Sequence, residues 1–153
     1  MELKTGLKAP PFEGTDQNGS LIKSGVYAGK KVILYFYPKD NTTGCTAEAC
    51  NLRDNYDALL KKGFVVIGIS PDSEKSHKGF VTKYSLPFPL IADTSKKILT
   101  DYGVWGEKKM YGKSYMGVIR TTFIIDEKGI IEKIIPKVET ATHTEQIFKL
   151  YNQ

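Results

Sequence analysis

Two runs of β-branched and aromatic residues, Val32-Ile33-Leu34-Tyr35-Phe36-Tyr37 and Phe64-Val65-Val66-Ile67-Gly68-Ile69, restrict this chain more than any other feature. Neither alternates apolar with polar residues, so neither reads as a strand with one wet face. Each reads as a strand buried on both faces, as in a parallel sheet covered by helices. The intervening sequence agrees. Pro38 ends the first run, turn-forming residues fill Asp40 to Gly44, and a helix is expected from about Thr43 to Lys62, with Gly63 as its stop.

The rest of the chain continues the alternation. Helical patterns run from Ser73 to Tyr84 and from Thr94 to Tyr102, with a short strand from Phe88 to Ile91 between them. Thr121–Ile125 and Ile130–Ile135 flank Asp126–Gly129 and read as a β-hairpin. Asn18-Gly19 places another hairpin between Phe12–Thr15 and Ser20–Ile22. A last helix starts near Thr142, with Glu145 three residues on as a capping box, and buries Ile147, Phe148 and Leu150 or Tyr151. The fold class is α/β: a central mixed sheet, mostly parallel, closed by antiparallel strands and carrying helices on both faces. That is the order of a thioredoxin-like fold with extra elements at the N-terminus and before the closing hairpin. The 153 residues can bury one sizeable core, and no linker divides them, so one domain is expected over residues 1–153.

Composition excludes more than it identifies. No apolar stretch reaches the ~20 residues of a bilayer span. The N-terminus, Met1-Glu2-Leu3-Lys4-Thr5-Gly6, has no secretory or transit character, which points to a cytoplasmic protein. The formal charge of +5 comes from lysines scattered singly or in pairs, so no basic stripe suggests nucleic-acid binding. His77 and His143 are expected at the surface, Tyr37 in the core and Trp105 as a packing residue.

The chemistry is carried by the two cysteines, Cys45 and Cys50. Cytosolic proteins rarely keep structural disulfides, and a loop this small gains little stability from one. Cys45 falls in the first turn of the predicted helix, where unpaired N–H groups and the positive end of the dipole favour a thiolate. An ordinary thiol, with a pKa of ~8.5, is only a few per cent ionised at neutral pH. Bringing such a thiol to ~6 takes roughly 3.4 kcal/mol, and a helix end supplies roughly 0.3–2 kcal/mol. A fixed cation has to help, and Arg120 is the candidate. In an intact helix, residues five apart have Cα atoms about 8–9 Å apart, beyond the ~7 Å a disulfide allows. Either the two thiols bridge with unwinding of the first turns, or they are unrelated thiols on one helix. A thioredoxin-type reductase would place two residues between its cysteines. A zinc site would need ligands that neither histidine offers at suitable spacing.

At Pro38-Lys39-Asp40-Asn41-Thr42-Thr43-Gly44-Cys45 the chain resembles the peroxiredoxin signature PxxxTxxC. Cys45-Thr46-Ala47-Glu48-Ala49-Cys50-Asn51-Leu52-Arg53-Asp54 is similar to the peroxiredoxin Q subfamily, the bacterioferritin comigratory proteins, which carry the second cysteine five residues after the first. Tyr35–Lys39, Gly68-Ile69-Ser70, Tyr102–Lys108 and Arg120–Asp126 agree in colinear order. The resemblance implies a peroxiredoxin elaboration of the thioredoxin fold. It implies reduction of hydrogen peroxide and alkyl hydroperoxides, with thioredoxin or a similar dithiol as reductant. It implies no cofactor and no metal, and a monomer.

The resemblance also assigns roles. Cys45 attacks the peroxide and becomes a sulfenic acid, and Cys50 resolves it as an intramolecular disulfide. Thr42 donates to the thiolate or accepts from the peroxide. Arg120 stabilises the thiolate and the charge on the breaking O–O bond. Pro38 covers the site, and Glu48 joins the polar network behind it. The plainer readings are an N-cap for Thr42, a strand terminator for Pro38, a surface charge for Arg120 and a first-turn acid for Glu48. A different class of function is a redox-sensing or chaperone-like protein whose Cys45–Cys50 disulfide switches a helix.

Overall fold

The computed structural model describes residues 2–151. In chain order the elements are β1 (Glu13–Thr15), β2 (Leu21–Lys23), β3 (Lys31–Phe36), α1 (Thr43–Asp54), α2 (Tyr56–Lys61), β4 (Phe64–Ser70) and α3 (Glu74–Tyr84). There follow β5 (Leu90–Ala92), α4 (Lys97–Asp101), β6 (Trp105–Met110), β7 (Lys113–Val118), β8 (Thr121–Ile125), β9 (Ile131–Ile135) and α5 (His143–Lys149).

The central sheet has the order β5-β4-β3-β8-β9. β3, β4 and β5 are parallel, while β8 joins β3, and β9 joins β8, antiparallel. The unbroken apolar runs have the reason expected of them. Ile33, Tyr35 and Tyr37 enter one buried cluster with Ala49 and Leu52 of α1, Leu59 of α2, Phe80 of α3 and Ile147 of α5. Val32, Leu34 and Phe36 enter the other, with Ile98 and Leu99 of α4, Phe12 and Tyr102. Successive strand residues point to opposite faces, and here both faces are covered. β1 and β2 form the N-terminal hairpin around Asp16, whose Oδ1 accepts from Asn18 N and Ser20 N.

Three expectations need correction. The helix expected from Thr43 to Lys62 is two helices, broken at Asn55. There the side-chain amide of Asn55 donates to the carbonyl of Asn51, which the Asn55 backbone N–H also reaches, so a side chain competes with the helical ladder. The capping box on the last helix does not form: Thr142 accepts no capping bond. The N–H of Thr144 is taken instead by Asn51 Oδ1 from α1 at 2.7 Å, and Asn51 Nδ2 reaches Glu145 and the carbonyl of Ala141. The third concerns His77 and His143, which are fully buried. Each found polar partners inside the fold, and these offset the loss of water. The β6–β7 hairpin is one of the extra elements expected before the closing strands. It pairs only with itself and turns at Tyr111-Gly112, both with positive φ.

Candidate active site

The site grows from the C-terminal end of β3. Tyr37 adds one more ladder bond, its N–H donating to the carbonyl of Ile69, and half-buried Pro38 then turns the chain off the sheet. Asn41 takes a left-handed conformation at φ 63°, and extended Thr42 precedes the first turn of α1. The carbonyl of Thr42 accepts the first helical bond, from Thr46 N at 2.9 Å. Its hydroxyl does not cap the helix; it donates to the carbonyl of Lys39 at 2.9 Å. With that hydrogen committed, the Thr42 oxygen is left to accept. Of the two roles expected of Thr42, the geometry favours accepting a hydrogen bond from a ligand over donating one to sulfur.

Cys45 is the third residue of α1, 1% exposed, inside the turn where backbone N–H groups have no helical acceptor. Glu48 lies one turn on, on the same face, with no exposure. Arg120 stands immediately before β8. The antiparallel register pairs Thr121 with Phe36, so it brings Arg120 to the end of the sheet where β3 gives way to the cysteine loop. Arg120 Nη2 donates to Cys45 Sγ at 3.1 Å, and Nη1 donates to Glu48 Oε1 at 2.6 Å. Burial alone would make the guanidinium easier to deprotonate; the negative charge of Glu48 and Cys45 reverses this and holds its pKa above the ordinary value. Arg120 is therefore a fixed cation on the sulfur, not a surface charge.

The chemistry behind Arg120 is a proton question. Burial pushes the Glu48 carboxyl up to about 7, against the pull of Arg120 in the other direction. Its second oxygen, Oε2, has no hydrogen-bond partner among the described residues. The nearest polar group is His143 Nε2 at 3.6 Å. This approach is not an ion pair, because burial pushes His143 down to about 4, leaving it neutral. Its tautomer follows from its neighbours. Gln146 Oε1 accepts from Glu139 N while Gln146 Nε2 donates to Lys137 O, so Oε1 is an acceptor and His143 Nδ1 must carry the hydrogen that reaches it. Nε2 then accepts from the Thr122 hydroxyl at 2.9 Å. With that lone pair engaged by Thr122, His143 offers Glu48 Oε2 no hydrogen bond, and burial alone keeps the carboxyl raised. The hydroxyl of Tyr35 is also buried with no partner among the described residues, and Glu48 and Cys45 add to the burial that raises its pKa.

Cys50 is half-buried on the same helix, and both thiols are free. With α1 intact, helix geometry keeps their Cα atoms about 8–9 Å apart. The fold thus brings Cys45, Arg120, Glu48 and the Thr42 loop together at one strand end, with Cys50 further along α1. Sequence reasoning missed His143 and Tyr35. An isolated histidine or a strand tyrosine carries no local signal, since both reach the site through packing.

Sheet order, helix placement and the cysteine at the strand end define a peroxidase of the peroxiredoxin class. The AhpC/TSA family model matches residues 5–134, and the chain belongs to that family. It is 47% identical over 147 residues to the putative peroxiredoxin bcp of Coxiella burnetii, covering 96% of this chain and 97% of that one. It is 42% identical to peroxiredoxin Bcp of Bacillus subtilis, covering 95% and 93% respectively. A solved structure of the Xanthomonas campestris bacterioferritin comigratory protein, described for its alkyl peroxide reduction activity, superposes with a TM-score of 0.87 at 31% identity, covering 96% of each chain.

Proposed function

We propose that this chain reduces hydrogen peroxide and alkyl hydroperoxides through Cys45, with Cys50 as resolving thiol and thioredoxin or a similar dithiol as reductant. The observation that carries the reading is the Arg120 guanidinium, 3.1 Å from Cys45 Sγ and oriented by Glu48. A thiolate there attacks one peroxide oxygen; an S–O bond forms, the O–O bond breaks, and the departing hydroxide or alkoxide takes a proton. Thr42 accepts a hydrogen bond from the bound peroxide. Arg120 stabilises charge spreading along the O–O bond, and donors aimed at such charge act strongly where water is excluded. Pro38 shields the strand end.

The sulfenic acid so formed is attacked by the Cys50 thiolate, and water leaves as the disulfide forms. That step requires the first turns of α1 to unwind, since the helical spacing exceeds disulfide reach. An external dithiol restores both thiols by exchange. The alkyl peroxide activity of the Xanthomonas protein supports the substrate class. The reading is of a monomeric, cytoplasmic, single-domain enzyme that needs no cofactor.

Non-reducing mass spectrometry after one equivalent of peroxide tests the cycle. A loss of two hydrogens mapped to a Cys45–Cys50 bridge is expected. A protein that stalls as Cys45 sulfenic or sulfinic acid contradicts the assignment of Cys50. A Cys45 no more reactive than a free thiol would favour a redox-sensing role instead.

A further inference from the structure

The loop that delivers Thr42 and Cys45 has one fully buried side chain, and it is an acid. Between exposed Lys39 and Asn41, Asp40 turns inward. Its Oδ1 accepts from the Tyr37 hydroxyl at 2.6 Å, and its Oδ2 accepts from the Ser76 hydroxyl at 2.8 Å. His77 Nδ1 lies 2.7 Å from the same Oδ2. The backbone N–H of Asp40 donates to Asp72 Oδ2, which also accepts from Ser70. Four tethers therefore meet at one residue, two positions before Thr42 and five before Cys45.

The histidine has a defined hydrogen pattern. Its Nε2 lies 3.0 Å from the carbonyl of Ile91, and a carbonyl only accepts, so Nε2 carries a hydrogen. A neutral ring would then point a lone pair from Nδ1 at a carboxylate oxygen 2.7 Å away. The contact is stable only with a hydrogen between the two atoms. His77 thus spans from β5 to the loop, donating at one end to the sheet and at the other sharing a proton with Asp40. Asp40, Asp72 and His77 also have the donor set of a small metal site. The ligand atoms are, however, already engaged with Ile91, Ser70, Ser76 and the Asp40 backbone, so the arrangement needs no cation to explain it.

We propose that His77 is a positioning residue of the peroxidase: through its bond to Asp40 it fixes the 38–42 loop, and with it the Thr42 oxygen, at the distance from Cys45 that a bound peroxide requires. The proposal rests on the functional reading above. His77 touches neither sulfur nor Arg120, and the Arg120–Cys45 contact comes through the separate β3–β8 register. Loss of His77 therefore lowers reactivity toward peroxide while sparing the general reactivity of the sulfur. A merely structural role would change both together.

The test compares two second-order rates on Cys45 in the full chain: with hydrogen peroxide, and with iodoacetamide, which draws no hydrogen bond from Thr42. His77→Leu is expected to lower the peroxide rate by about 10²-fold, the cost of a misplacement of about 1 Å, with no fall in the alkylation rate. His77→Asn places an amide N–H near the old Nδ1 and should recover the peroxide rate to within about tenfold, one hydrogen bond's worth. Thermal melts establish that each variant is folded at the assay temperature. If His77→Leu does not fold, the same comparison is made on His77→Gln, which reaches toward Ile91 but not Asp40 and should lose the peroxide rate. Peroxide and alkylation rates that fall in parallel, or a peroxide rate that does not fall, overturn the proposal. Cys45→Ser serves as the separate control. If it still consumes peroxide quickly, the functional reading fails whatever the His77 variants show.

Discussion

Replacing Glu48 or His143 by glutamine should tilt the pH dependence of stability in opposite directions. Glu48 has an ordinary pKa of 4.5 when unfolded and about 7 in the fold, because burial disfavours its charge. Below about 4.5 the carboxyl is protonated in both states, and its contribution is intact. As pH rises to about 7 the unfolded chain ionises first, and stability is lost. His143 moves from 6.5 to about 4, also by burial. Its contribution is intact above about 6.5 and is lost as pH falls toward 4, where the unfolded chain takes up a proton that the folded chain refuses. Each pKa differs by about 2.5 between states, and at ~1.36 kcal/mol per pH unit each effect is worth about 3 kcal/mol. In the native protein the two oppose each other between pH 4.5 and 6.5. Urea unfolding at steps from pH 4.5 to 7.5, with linear extrapolation, reads each one separately. Glu48→Gln keeps an oxygen for Arg120 and should gain on wild type as pH rises, by up to about 3 kcal/mol. His143→Gln should lose on wild type over the same range by a similar amount. Differences that stay flat with pH, or drift in the same direction, would refute the reasoning.

Arg120→Met should slow single-turnover reaction with peroxide by about 10²–10³-fold, the usual cost of removing one preorganised donor; stopped-flow rates under tenfold slower would contradict its role. Cys50→Ser should react with the first equivalent of peroxide at the wild-type rate, yet lose steady-state turnover with a thioredoxin-type dithiol, which a coupled assay reads directly. Thr42→Val removes the accepting oxygen and should cost about 10–150-fold, equivalent to about 1.5–3 kcal/mol for a bond that strengthens with charge. Thr42→Ser should keep most of the peroxide rate.

The sheet was legible because it is buried on both faces. Ile33, Tyr35 and Tyr37 serve one core and Leu34 and Phe36 the other, which leaves an unbroken apolar run in the sequence. The β8–β9 hairpin was legible for its turn and its flanking β-branched residues. The break between α1 and α2 was not, because an asparagine in a polar stretch looks neutral until its amide finds the carbonyl of Asn51. The β6–β7 strands face water over Lys109 to Met116 and so lack the alternation that marks a half-buried strand. At the site, Cys45 and Arg120 could be named from sequence as thiol and cation. Their contact across 75 positions is produced by the β3–β8 register, which no local pattern encodes. His77 and His143 were misplaced at the surface for a related reason. Their partners, Asp40, Ile91, Thr122 and Gln146, come together only in the folded chain, and a buried histidine is recognised by its partners.

The central claim is that the Cys45 sulfur, held against Arg120, is the atom that peroxide oxidises. Stopped-flow oxidation of the reduced protein by hydrogen peroxide, run beside free cysteine at the same pH, addresses it directly. Wild type should react orders of magnitude faster than the free amino acid, and Cys45→Ser should fall to the free-thiol rate. A wild-type rate no greater than that of free cysteine, or a fast reaction surviving in Cys45→Ser, would contradict the account.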